Sequence, residues 1–189
     1  MRICFATDFH GREEHYAALR DWLRQERPDL LILGGDNFPD GDEADPPASQ
    51  IGWVRDVFLP LVRSWRQDVP RMQAALVLGN HDWLPTHEYL ASLRDSAPLV
   101  LLDPRDPRKI GGISFLGFWH TPPTPFHVKD FERLDVAQDP CPEQGGLVWD
   151  PQSRCVRDVD ARTHFCGNPT VADVLKTITA PKPPWIFVC

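Results

Sequence analysis

Apolar and polar positions along the first 85 residues alternate between two periods, and the switch points define elements. Arg2 to Thr7 is a short apolar run of strand length, ended by a polar cluster, too brief for a helix, and it predicts a buried first strand. Between Arg12 and Arg27, Tyr16, Leu19, Trp22 and Leu23 recur at helical spacing with charges opposite and Pro28 as a stop, the pattern of an amphipathic helix laid on a sheet. Leu30 to Leu33 is continuously apolar and closed by Gly34 and Gly35, as expected of a strand buried on both faces and paired parallel with the first. Asp40 to Gln50 is acidic and contains Gly41, Pro46 and Pro47, which predicts an exposed loop. Ile51, Val54, Phe58, Leu61, Val62 and Trp65 then share one helical face that Pro60 should kink or split. Ala74 to Leu78, closed by Gly79, is a third apolar strand. Strand, helix, strand, helix, strand with right-handed crossovers gives an α/β fold built on a parallel sheet.

The second half is less regular. Thirteen of the 20 prolines lie from Pro98 onward, and proline interrupts both periodicities. A short helix is expected between Thr86 and Arg94. Leu99 to Leu102 and Ile113 to Phe118 read as strands flanking a turn-rich stretch, which suits a hairpin or the start of a second sheet. Residues 121–167 have little periodicity and read as a proline-rich insertion that shapes a pocket. Asn168 and Pro169 are suited to N-cap and first-turn positions of a helix running toward Ile178, and Trp185 to Cys189 reads as a final buried strand.

Composition narrows the class. The chain has 189 residues, one domain's worth, with 42% apolar and 25% charged residues. No apolar run approaches the length of a membrane span. Twenty Lys and Arg against 27 Asp and Glu leave a net charge of -7, which argues against holding nucleic acid through unspecific phosphate contacts. Five irregularly spaced cysteines and a start without a leader pattern fit a reducing cytoplasm.

Candidate chemistry concentrates where the three strands end. The first ends in Asp8-Phe9-His10, the second in Gly34-Gly35-Asp36-Asn37 and the third in Gly79-Asn80-His81-Asp82. Ligands bind beyond the carboxyl ends of parallel strands, where loops gather. A spacing of two in an extended segment would turn Asp8 and His10 to one side and Phe9 away. These oxygen and nitrogen donors suit Mn, Fe or Zn, and a carboxylate can bridge two ions. Taken singly, each aspartate could equally cap a helix or turn. His120, His127 and His164 with Cys141, Cys155 and Cys166 lack the paired spacing of a structural zinc site.

These three segments resemble the motifs of the calcineurin-like metallophosphoesterases, which read Asp-x-His, Gly-Asp-x-x-Asp and Gly-Asn-His-Asp/Glu. All three occur here in order within residues 1–84. The resemblance implies an α/β/β/α sandwich and two divalent ions: Asp8 and His10 on the first, Asp36 bridging, Asn80 on the second. It implies His81 near the substrate phosphate as proton donor or charge stabiliser, with Asp82 orienting its ring. It further implies hydrolysis of a small phosphomonoester or phosphodiester by a hydroxide that the two ions activate. The second acidic residue of the middle motif has slipped by one, since Pro39 stands where it is expected and Asp40 follows. Pro39 also replaces the tyrosine ligand of the purple acid phosphatases, and the Asp-Arg-Gly of the protein phosphatases is missing. The family's three later metal-binding histidines are also absent, so the domain reads as incomplete at its C-terminus. That shortfall makes a catalytically inactive scaffold that binds a partner the alternative reading.

Overall fold

The computed structural model describes residues 1–94 and 96–189. Its first half follows the expected order. Strand β1 (Ile3–Ala6) leads through helix α1 (Glu13–Glu26) to β2 (Leu30–Gly34). A long helical rod comes next, then β3 (Gln73–Val77), α4 (Leu84–Ser92) and β4 (Val100–Leu101). The four strands form one parallel sheet in chain order, with Ile3 opposite Leu30 and Leu30 opposite Gln73.

The rod begins earlier than its apolar stripe suggests. Helix α2 (Pro46–Trp53) starts inside the segment expected to be a loop, because Asp45 accepts the Ala48 amide at 3.1 Å and two prolines fill the first turn, where no amide partner is needed. Pro60 splits the rod as expected. The split takes the form of a π-turn over Val54–Phe58, with the Leu59 amide donating to the Val54 carbonyl, before α3 (Leu59–Asp68) resumes with Pro60 in its first turn.

Strand β2 is buried along its length for a reason visible in its alternation. Leu31 and Leu33 pack with Tyr16, Leu23, Phe58, Val62 and Trp65 of the helices. Leu30 and Ile32 face Ile110, Phe115 and Val188 of a second sheet. That sheet comprises β5 (Arg108–Ile110), β6 (Ile113–Gly117) and β9 (Trp185–Val188), with β5 antiparallel and β9 parallel to β6. The layers run helix, sheet, sheet. β1 is an edge strand, so Ile3 and Phe5 are exposed where a buried strand was expected. Only one face of β9 is covered, leaving Trp185 and Phe187 exposed.

Residues 121–167 hold more order than their sequence suggests. They contain a hairpin of β7 (Gly146–Asp150) and β8 (Cys155–Val159), followed by helix α5 (Ala161–Gly167). Asn168 does not begin the next helix. Its side chain donates to the His164 carbonyl at 2.7 Å, closing α5, and α6 (Val171–Thr177) is capped by Thr170 and Asp173 bonding each other's backbone amides. Among the described residues no helix is long and apolar enough to cross a membrane.

Candidate metal centre

The ends of β1, β2 and β3 are bonded to one another. The amides of Asp8, His10 and Gly11 donate to the carbonyls of Gly35, Asp36 and Asn37 at 3.1, 2.9 and 2.9 Å. The His81 amide donates to Asp36 Oδ1 at 2.8 Å, which brings the third loop onto the second. Asp8 and His10 do not follow the strand's alternation. Their φ values are 62° and 47°, and Asp36 has 49°, so three site residues occupy left-handed backbone that side chains ordinarily avoid. Phe9 turns inward, edge-on to Tyr16 with centroids 5.0 Å apart.

Such strain persists only when its surroundings hold it, and here the holding is steric as well as hydrogen-bonded. A Cβ at Gly79 would lie 2.3 Å from Asp36 Oδ1, so only glycine admits the carboxylate at that place. The result is a group of ligand atoms from Asp8, His10 and Asp36 all within 4.8 Å of one another. Two carboxylates and an imidazole form a donor set suited to a divalent transition metal. Burial pushes the Asp36 carboxyl upward, against the pull of the His81 amide and the two neighbouring imidazoles. A cation at this place would relieve that cost. Asn80 lies on the same turn with its amide nitrogen buried and unpartnered.

A second cluster joins His10, Asp40 and His81. The rings of His10 and His81 meet edge-on at 4.9 Å, and Asp40 Oδ1 is 2.9 Å from His81 Nδ1. The aspartate that slipped by one position in the sequence thus takes the role expected of Asp82. Asp82 faces inward and is 1% exposed, with one oxygen accepting the Gly79 amide at 2.8 Å and the other unpartnered. Burial, then the Asp36 charge, hold its carboxyl well above the usual range. It buttresses the turn and does not orient the histidine.

Nothing in the sequence marks Gln50, which lies in a stretch that reads as loop. It is fully buried under the site, and each end of its amide makes two bonds. Its nitrogen donates to the carbonyls of Pro39 at 2.9 Å and His81 at 3.2 Å, while its oxygen accepts from the Trp83 amide and the Thr86 hydroxyl at 3.0 and 2.7 Å. The loops carrying Asp40 and His81 therefore share one clamp.

Among the described residues, His120, His127 and His164 do not complete a second metal position. His120 bonds the Phe131 carbonyl and His164 the Glu132 carbonyl, and neither they nor His127 joins the two clusters among the described residues. Burial, aided by the Arg133 charge, pushes His120 down to about 4. The unfolded chain, with an ordinary histidine near 6.5, then binds more protons between pH 6.5 and 4. Stability should fall as pH drops through that window, and the urea midpoint of His120→Gln should fall less between pH 7 and 5 than that of the wild type.

A helix-backed parallel sheet thus gathers Asp8, His10, Asp36, Asn80 and His81 at its carboxyl edge, an α/β protein with a candidate metal centre where its strands end. The whole chain, residues 1–189, matches the family model described as calcineurin-like phosphoesterase, and the protein belongs to that family. No curated protein matches it. One solved structure is similar with a TM-score of 0.41 at 14% identity over 62% of this chain, and the chain spans 52% of that protein's length. Another, described as a novel archaeal phosphodiesterase, is similar with a TM-score of 0.37 at 12% identity, covering 85% of this chain and 99% of its own.

Proposed function

We propose that this chain hydrolyses a small phosphate ester, monoester or diester, at a centre built on Asp8, His10 and Asp36. These three would hold a first divalent ion of Mn, Fe or Zn, and Asp36 and Asn80 would contribute to a second. The observation that carries the reading is the convergence of three mutually bonded strand ends, two of them in left-handed backbone, on adjoining donor clusters. Bound divalent ions at such a centre supply charge neutralisation for phosphate and acidify water.

The protein's own groups divide the remaining work. Asp36 accepts the His81 amide and so fixes the distance between the ion site and the imidazole. Asp40 occupies His81 Nδ1, which leaves Nε2 as the position able to give a proton to the departing ester oxygen. Asp82 keeps the Gly79 turn closed, and Gln50 holds the two loops in register. We place the protein in the cytoplasm, on its five free cysteines.

The test is hydrolysis of p-nitrophenyl phosphate and its bis-ester by the Mn²⁺-loaded protein. His81→Ala should lower kcat by roughly 10²–10⁴-fold, the usual contribution of a positioned acid, and leave Mn²⁺ affinity unchanged. The thin donor set for the second ion favours a second reading, a scaffold that binds metal and a partner without turnover. Tight Mn²⁺ binding with no hydrolysis of either ester is the result that reading expects.

A further inference from the structure

The stretch that looks featureless in sequence contains a fully buried ion pair, and it leads directly to the site. Lys129 and Glu132 pair at 2.8 Å with no exposed side-chain surface on either. A buried ion pair is tolerable only when further hydrogen bonds support it, and here Thr124 supplies them to both members. Lys129 Nζ also donates to the Thr124 carbonyl at 2.7 Å, and Glu132 accepts both the Thr124 amide, at 3.0 Å, and its hydroxyl. Every polar group of Thr124 is thereby tied to the pair.

Thr124 sits in Pro122-Pro123-Thr124-Pro125-Phe126, where three prolines fix φ. The Phe126 amide bonds back to the Thr124 hydroxyl at 3.3 Å. The stalk ends with the Phe126 ring 4.5 Å from the His81 ring and inclined at 56°, and Phe126 remains 47% exposed. Core packing does not explain a phenylalanine in that place, since half of it faces water. A rigid aromatic beside the imidazole that faces the departing oxygen has little ordering entropy left to lose on binding.

We propose that Phe126 forms the wall of a subsite for a flat leaving group, so that the preferred substrates are phosphate esters bearing an aromatic or heteroaromatic ring. The ring of the substrate stacks on the open face of Phe126 while its phosphate faces Asp8, His10 and Asp36. This inference rests on the phosphate-ester reading above.

Two non-hydrolysable probes separate the two claims: phenylphosphonate and methylphosphonate, titrated into the Mn²⁺-loaded protein by calorimetry. The wild type should bind phenylphosphonate roughly tenfold more tightly than methylphosphonate, the scale of one aromatic stacking contact. Phe126→Ala should reduce that ratio to about one with methylphosphonate affinity unchanged, and Phe126→Tyr should restore it. Phe126 is exposed, so both variants should fold, which their thermal melts would verify. Equal binding of the two probes by the wild type, or a preference that survives Phe126→Ala, overturns the stacking wall and leaves the phosphate-ester reading standing. If the wild type binds neither probe, the phosphate-ester reading falls and takes the subsite with it.

Discussion

Replacing Glu132 by alanine should lower stability by about 3–5 kcal/mol, the cost of leaving one member of a buried ion pair without its partner. Lys129 has no exposed side-chain surface, so its ammonium could not reach water without opening the loop. The Thr124 amide and hydroxyl would lose their acceptor at the same time. For a chain of this size such a loss moves the melting midpoint by roughly 6–20 °C. Lys129→Met together with Glu132→Leu should recover part of the loss, because hydrophobic replacement of both members removes the uncompensated charge. A double variant no more stable than Glu132→Ala would mean that the loop is held by something other than the pair. The loop also depends on Asp130, whose carboxylate accepts the Leu84 and Trp149 amides at 2.8 and 2.7 Å and so connects α4 to the hairpin.

The second large effect is expected at Asp36, and it has opposite signs in the two quantities measured. Asn keeps the size of the side chain and tolerates the left-handed backbone at φ 49°, so the loops should keep their arrangement. The carboxylate is costly in the metal-free protein because burial raises its pKa. A group whose folded-state pKa lies above its unfolded value weakens the fold once pH exceeds the unfolded value, so removing the charge at pH 7 should leave stability equal or higher. Metal affinity should fall by at least about 100-fold, since changes one shell further out already cost 10–100-fold. Urea denaturation and a Mn²⁺ titration on the same preparation would check both. Gain of stability with loss of ligand is the mark of a residue kept for function and not for the fold.

Much of this architecture is legible in the chain because local and global signals agree. The Leu30 to Leu33 run reads as a doubly buried strand and is one, since its two faces meet a helix layer and a second sheet. The motif residues Asp8, His10 and Asp36 gather at the ends of the first two strands, where a parallel sheet places its ligands, and the Pro60 interruption falls where the ring removes a donor. The misreadings have physical causes. Pro46 and Pro47 look like loop residues until a capping aspartate precedes them. Asn168 looks like a cap until Thr170 and Asp173 offer a reciprocal pair. The strand alternation assumed for Asp8 and His10 fails because β1 ends at Ala6 and the loop is pulled into left-handed backbone by bonds to the second loop. Gln50, Asp40 and Phe126 are matters of tertiary contact. No periodicity marks a glutamine that joins two loops or a phenylalanine carried on a proline stalk.

One ion bound by Asp8, His10 and Asp36 is the requirement from which the other expected effects at this site follow. The most direct measurement is a Mn²⁺ titration followed by electron paramagnetic resonance on the wild type, Asp36→Asn and His81→Ala. One tightly held ion in the wild type, lost in Asp36→Asn and retained in His81→Ala, is the predicted result. A wild type that holds no ion, or equal loss in both variants, would contradict it.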